Sequence, residues 1–156
     1  MLFNYYTIYM KIDKINWLIL EELQKNSRSQ LTEISKKVGL SSPTVAERIQ
    51  KLEDAGIING YNAAINMEAI GYSLGVYISI KVRFGEINRF KEYIGTVPEI
   101  SECYSLTGHD CMLMKGYVKD PKHLENLNAR LAIYGELTTS LILNSIIDRK
   151  VYKEEF

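Results

Sequence analysis

Histidine, cysteine, proline and tryptophan are all scarce in this 156-residue chain, at two, two, three and one. With only His109 and His123 available, acid–base chemistry has few actors. No Ser-His-Asp order, paired-carboxylate motif or phosphate-cradling glycine loop occurs, so the reading is a non-enzyme with no catalytic residues and no cofactor. Cys103, His109 and Cys111 offer three potential ligands at irregular spacing without a fourth, a poor zinc signature. A turn histidine beside two buried thiols is the expectation, and no metal. No apolar run approaches the roughly 18 residues that cross a bilayer. The start, MLFNYYTIYMKIDK, has neither a basic n-region nor a small-residue cleavage site, which argues against a signal peptide. Two cysteines without an export signal then point to free thiols in a reducing cytoplasm. There is no excess of either charge: 19 Lys+Arg balance 19 Asp+Glu. At 46% hydrophobic residues the chain is globular rather than disordered.

What is present is concentrated in Leu31 to Tyr61, LTEISKKVGLSSPTVAERIQKLEDAGIINGY. Leu31, Ile34 and Val38 fall at i, i+3 and i+7, giving one short helix an apolar face. Gly39 stands where helices stop in the left-handed conformation. Ser42 is placed to cap the next helix, with Pro43 at its first position. Val45, Ile49 and Leu52 give that helix a buried stripe, and Gly56 ends it. Its leading turns leave Ser41, Ser42, Thr44, Glu47, Arg48 and Lys51 exposed, which are short hydroxyls for phosphates and long arms for base edges. Upstream, Ile12, Ile15, Ile19 and Leu23 describe a first helix whose apolar face Trp17 and Leu18 widen. Downstream, Ile57 to Ile65 reads as a small hairpin, a wing. The order is that of a winged helix-turn-helix reader of double-stranded DNA, although a helical protein-interaction subdomain has the same pattern. Residues 11–62 hold eight Lys/Arg against seven Asp/Glu, a net of +1. Phosphate neutralisation supplies much of a reader's affinity, so one this weakly charged needs more than one copy per site.

The chain divides near Ala63 to Gly71, predicting an extension over 1–10, a reader over 11–62, a linker over 63–72 and a second domain over 73–156. Met10 directly precedes the first helical pattern, so residues 1–9 are either an extension ahead of a later start or an arm that packs on a partner. In the second domain the pattern predicts strands at Leu74 to Val82, Ile100 to Thr107, Cys111 to Val118 and Leu137 to Leu143. Helices are predicted at Ile87 to Val97 and Lys122 to Ile133, and a fifth strand at the edge over Arg149 to Tyr152. This β-α-β-β-α-β order is the ferredoxin-like split βαβ, with helices on one face of an antiparallel sheet. The opposite face is expected to carry Val76, Ile78 and Ile80 and to be covered by a second subunit. The fold class is therefore α+β.

The two halves together resemble the Lrp/AsnC, or feast/famine, family of transcriptional regulators. The resemblance rests on IDKINWLILEELQKNSR, the reader stretch above and CYSLTGHDCMLMKGYV, and covers about residues 11–152. It implies a second domain that dimerises through its sheet, dimers that assemble into tetramers or octamers, and a small amino-acid effector bound between dimers. The family's reader surface falls on Ser41, Ser42, Pro43, Thr44, Glu47, Arg48 and Lys51. Arg48 takes the base or phosphate contact, unless it is simply a solvated charge paired with Glu47 or Asp54. Glu47 either orients Arg48, accepts from cytosine or stays solvated. Many members hold the effector in a Gly-x-x-Asp turn. Here Thr107, Gly108, His109, Asp110 and Cys111 form it, with the acid one place early, and Thr138 and Ser140 match the Thr-x-Thr pattern that reaches the same pocket. Two alternatives share the architecture: an effector-independent DNA compactor and a tetrapyrrole decarboxylase.

Overall fold

Each helix of the first half starts and stops where side chains can satisfy the backbone. The computed structural model describes residues 12–108 and 112–154; the extension over 1–10 and His109, Asp110 and Cys111 of the expected turn lie outside the described residues. Helix α1 spans Lys14–Lys25, with Asp13 as its cap accepting from the Asn16 N–H at 2.7 Å. Helix α2, Leu31–Val38, ends at Gly39 with φ at 69°, a left-handed conformation that costs glycine no Cβ clash. Helix α3 spans Ser42–Asp54. Its cap is Ser41, whose Oγ accepts from the Thr44 N–H at 3.3 Å, so the cap lies one residue before the expected Ser42. Ser42 instead turns inward and donates to Ser35 Oγ at 3.4 Å, fastening α3 to α2. Ile19, Leu20, Ile34, Val45 and Leu52 form the core, flanked by Ile15, Trp17, Val38, Ile49 and Ile57. Each such burial is worth roughly 1.5–3 kcal/mol. Leu18 is exposed, contrary to expectation, because it lies about 100° around the helix from Ile19.

The expected wing hairpin over Ile57 to Ile65 has no strand pairing. The Ile57 and Ile58 N–H groups both donate to the Leu52 carbonyl, turning two adjacent apolar side chains toward the helical core instead of alternating across a ladder. The Ala63-Ala64 pair offers little for cross-strand contacts. The chain continues to a 3₁₀ turn at Glu68–Ile70.

The second unit holds strand β1 (Leu74–Val82), helix α4 (Ile87–Ile94), strands β2 (Ile100–Ser105) and β3 (Met112–Val118), helix α5 (Pro121–Ala132) and strand β4 (Gly135–Leu141). The sheet runs β2-β3-β1-β4, every neighbour antiparallel, as the split βαβ order requires. Its core joins Val76, Ile78 and Ile80 to Phe90, Ile94, Leu127 and Leu131. This corrects the sequence reading: Val76, Ile78 and Ile80 are fully buried beneath α4 and α5 and do not form the open face. Strand side chains alternate, so the open face carries their neighbours Tyr77, Ser79 and Lys81. A one-residue error in assigning the faces exchanges every side chain.

Gly116 pairs with Ile100 at the start of β2, where a Cβ would come within 2.5 Å of the Glu99 carbonyl oxygen. That carbonyl accepts from the Tyr117 N–H at 2.9 Å. The buried Glu99 carboxylate accepts from His123 Nε2 at 2.9 Å and from Arg130, pinning α5 to the start of β2. The expected edge strand at Arg149 to Tyr152 does not form. Tyr152 instead donates its N–H to Gln24 Oε1 (2.8 Å), and its carbonyl accepts from Gln24 Nε2 (3.0 Å). The chain accordingly divides into one unit that runs to Ala64 and resumes at Ile147, and a second unit, Ile65–Ile146. The C-terminal segment, expected within the second domain, thus groups with the first.

Candidate nucleic-acid interface

Helix α3 is held by its apolar stripe, Val45 and Leu52, which fixes what it shows to solvent. Ser41, Pro43, Glu47 and Lys51 are exposed, while Ser42, Thr44 and Arg48 are half-buried. Pro43, Glu47 and Lys51 follow one another at i, i+4, i+8, a single ridge along the helix. Ser41 Oγ and Thr44 Oγ1 lie 2.7 Å apart at its leading end. The ridge is short hydroxyls at the N-terminus, where the helix dipole favours a phosphate, followed by longer polar arms.

The charges on this ridge are already engaged. Lys51 Nζ donates to Glu47 Oε1 at 2.7 Å, and that bond holds the Glu47 carboxyl below its usual range. Glu47 therefore orients Lys51 rather than Arg48. Arg48 is partnered neither by Glu47 nor by Asp54: its Nη1 donates to Asp13 Oδ2 at 2.7 Å and to Asn16 Oδ1 at 2.9 Å. Asp54 accepts from Gln50. The Arg48 guanidinium, then the Asn16 N–H, hold the Asp13 carboxyl below the ordinary carboxylate range. Arg48 thus lies along α1, its side chain 28% exposed, one nitrogen bound and the rest of its donor fork still available. Sequence reasoning missed Asp13 and Asn16 as its partners. Asp13 could be recognised as a helix cap, but nothing local signals a contact across 35 residues.

In the second unit, Thr107 and Gly108 are exposed, with Gly108 at φ 112°. Thr138 and Ser140 both lie on the open sheet face and are exposed. Thr138 pairs with Ser79, which pairs with Leu113 on the strand that follows the turn. Two strand spacings, roughly 10 Å, therefore separate Thr138 from Leu113. Ser140 stands beside Tyr77. Thr139, between them, faces the other way and donates to Asn128 Oδ1 at 3.0 Å. The open face is completed by Tyr104, Leu113, Lys115 and Tyr117, with Tyr104 donating to Glu102 at 2.6 Å. Cys103, expected to be buried, is an exposed free thiol.

A helix-turn-helix with a solvent-facing second helix, in one chain with a ferredoxin-like unit, defines a two-unit DNA-binding regulator. Comparison with known proteins agrees. Residues 12–59 match the model of a winged helix-turn-helix DNA-binding domain, and residues 75–152 that of the Lrp/AsnC ligand-binding domain. The HTH-type transcriptional regulator LrpC of Bacillus subtilis is 33% identical over 137 residues, 88% of this chain and 95% of that protein. The regulator FL11 of Pyrococcus furiosus is 36% identical over 143 residues, 92% of this chain and 93% of that one. The solved structure of Bacillus subtilis LrpC superposes with a TM-score of 0.85 at 32% identity, covering 90% of this chain and all of that one. A Neisseria meningitidis transcriptional regulator, solved as its L-methionine complex, does so with a TM-score of 0.82 at 29% identity, covering 90% and 95%. The chain belongs to the Lrp/AsnC family of transcriptional regulators.

Proposed function

We propose that this protein regulates transcription by reading the major groove of duplex DNA with α3, and that it acts in the cytoplasm as a binding protein rather than an enzyme. The observation that carries the reading is the single exposed ridge of Pro43, Glu47 and Lys51, with the Ser41 and Thr44 hydroxyls at its leading end, within the segment that matches a DNA-binding model. Ser41, Ser42 and Thr44 set the backbone register, and Lys51 and Arg48 supply the long contacts. The second unit takes a small amino acid near Thr107, Gly108 and Asp110, a reading supported by the relative solved with L-methionine. Its open sheet face, amphipathic through Tyr77, Tyr104, Leu113 and Tyr117, joins two copies into a dimer that assembles further. Two readers would then meet half-sites about one helical turn, or a multiple, apart.

The test is fluorescence anisotropy with duplex from the region upstream of the protein's own gene, with and without each common amino acid. Salt-dependent saturable binding that weakens in Lys51→Ala, and shifts with at least one amino acid, is the expected result. Binding unchanged in Lys51→Ala and Arg48→Ala at matched salt would reject α3 as the reader. Binding that no amino acid alters would favour an effector-independent compactor.

A further inference from the structure

The chain enters the first unit twice, through the residues up to Ala64 and again from Ile147, so that Ile65–Ile146 is an insertion within it. The returning segment is held at one residue. Gln24, in the last turn of α1, accepts from the Tyr152 N–H through Oε1 at 2.8 Å and donates from Nε2 to the Tyr152 carbonyl at 3.0 Å. Its Nε2 also donates to the Leu20 carbonyl at 3.1 Å, which holds the carboxamide in place. A carboxamide offers a donor and an acceptor side by side, which a carboxylate or an ammonium does not. Arg149, Lys150 and Tyr152 then line a groove of about 720 Å³ together with Trp17, Leu20 and Leu23 of α1.

This docking is lightly held. Tyr152 is 53% exposed, and a hydrogen bond within reach of water contributes little net stability. Among the described residues, no hydrogen bond or ion pair holds residues 143–151. What keeps Tyr152 within reach of Gln24 is the end of β4. Ile142, the next residue, donates its N–H to the Gly75 carbonyl at 2.8 Å, and its side chain lies over Gly75. Entry to the sheet on β1 and exit from it on β4 are therefore neighbours, about one strand spacing apart. The folded insertion spares the C-terminal segment the entropy of closing that loop as a free chain. At its other end α1 carries Asp13 and Asn16, which hold Arg48, and its Ile19 and Leu20 pack with Val45 and Leu52 of α3. We propose that the C-terminal segment is a detachable strap: the seating of Ile142 after β4 holds it on Gln24, and its release is a route by which the second unit acts on α1 and the reader. The effect on the reader rests on the DNA reading by α3 proposed above; the strap itself does not.

Trp17 is the single tryptophan of the chain and lines the same groove as the strap, so acrylamide quenching of its fluorescence reports docking. Three full-length variants are compared with the wild type, far-UV circular dichroism confirming that each is folded. Gln24→Glu replaces the Nε2 donor by a second acceptor, Ile142→Pro removes the N–H given to Gly75, and the third combines them. Each single change should raise the quenching constant, and the double variant should quench no faster than either, because both release one strap. Should Ile142→Pro not fold, Gly75→Val takes its place, since its Cβ would stand 3.2 Å from Ile142 Cδ1. Both single variants should also bind duplex from upstream of the protein's own gene about fivefold or more weakly. Unchanged quenching in Gln24→Glu would overturn the strap. Quenching raised in Gln24→Glu but not by the change at the end of β4, or additive in the double variant, would overturn its control by the second unit. Raised quenching with wild-type duplex affinity would overturn the link to the reader. The quenching comparison involves no DNA, so it decides the strap even if the reading by α3 fails.

Discussion

Replacing Asp13 by asparagine separates two roles that one carboxylate now fills. Oδ1 caps α1 by accepting from the Asn16 N–H at 2.7 Å, and Oδ2 holds Arg48 at 2.7 Å. Asparagine caps a helix about as well as aspartate, so the cap survives and the ion pair does not. With Asp13 about half exposed and Arg48 28% exposed, the pair ranks with surface salt bridges, which contribute about 0.2–1 kcal/mol. Asp13→Asn should therefore lower the melting temperature by about 1–8 °C for a domain of this size. Asp13→Ala also removes the cap and should cost roughly a further 1 kcal/mol. DNA binding should move the other way. Asp13→Asn removes a negative charge beside the reading surface and releases a guanidinium that can take phosphate or guanine. If even half of the roughly 1–3 kcal/mol of a bidentate base contact is recovered, affinity rises about twofold to twelvefold. Anisotropy titrations at matched salt, run as a double-mutant cycle with Arg48→Ala, should give a coupling of at least about 0.5 kcal/mol. Equal DNA affinity for wild type, Asp13→Asn and Arg48→Ala would refute the reasoning and leave Arg48 as a brace between α1 and α3.

Gly116→Ala should destabilise the second unit by about 1–3 kcal/mol in urea unfolding, because its Cβ would meet the Glu99 carbonyl oxygen at 2.5 Å in a tightly packed strand pair. Leu113→Asp, on the open sheet face, should lower the mass measured by light scattering without unfolding the chain; an unchanged mass would place the subunit contact elsewhere. Burial pushes the Glu99 carboxyl up, but hydrogen bonds from His123 and Arg130 outweigh it and leave the group below its usual range. A carboxyl depressed on folding stabilises above its unfolded pKa and loses that contribution as pH falls through the folded value, here below about pH 4. Glu99→Gln should accordingly flatten the acid limb of an unfolding curve followed by circular dichroism, and an identical limb would show that Glu99 is not responsible.

Element order was legible in the sequence because periodicity reports burial: β1 falls at Leu74–Val82 as its alternation predicts, and Gly39 ends α2 in the left-handed region. Which face of that alternation the helices cover was not legible. Tyr77, Ser79 and Lys81 alternate as regularly as Val76, Ile78 and Ile80, and the apolar set belongs under α4 and α5 because those helices supply Phe90 and Leu127. The cap moved from Ser42 to Ser41 because adjacent serines are equivalent on paper, and only the contact with Ser35 distinguishes them. The wing failed on side-chain grounds at Ile57-Ile58 and Ala63-Ala64. For the reader, the sequence placed its residues on α3 but not their partners: Lys51 with Glu47 is a local pair that helix spacing can suggest, whereas Arg48 with Asp13 depends on how α1 and α3 cross.

Those pairings bear on how such a reader gains affinity. Arg48 in the middle of α3 and Lys51 in its last turn each already hold a carboxylate at 2.7 Å. A phosphate that recruits either must share the cation with that carboxylate or displace it, so the gain is smaller than for an unpaired cation. If α3 is the reader, Glu47 and Asp13 would stay near the duplex as repelling charges and penalise loosely fitted, non-specific complexes more than those in which Arg48 or Lys51 finds a base edge. A single reader built in this way is expected to bind weakly, with its specificity resting on whether Arg48 or Lys51 finds a base edge. Its salt dependence should be shallow, because few net counterions are released per subunit. Useful affinity must then come from presenting several readers to one stretch of DNA. That requirement accords with the proposed dimer, for which the amphipathic face of Tyr77, Leu113 and Tyr117 would be the contact.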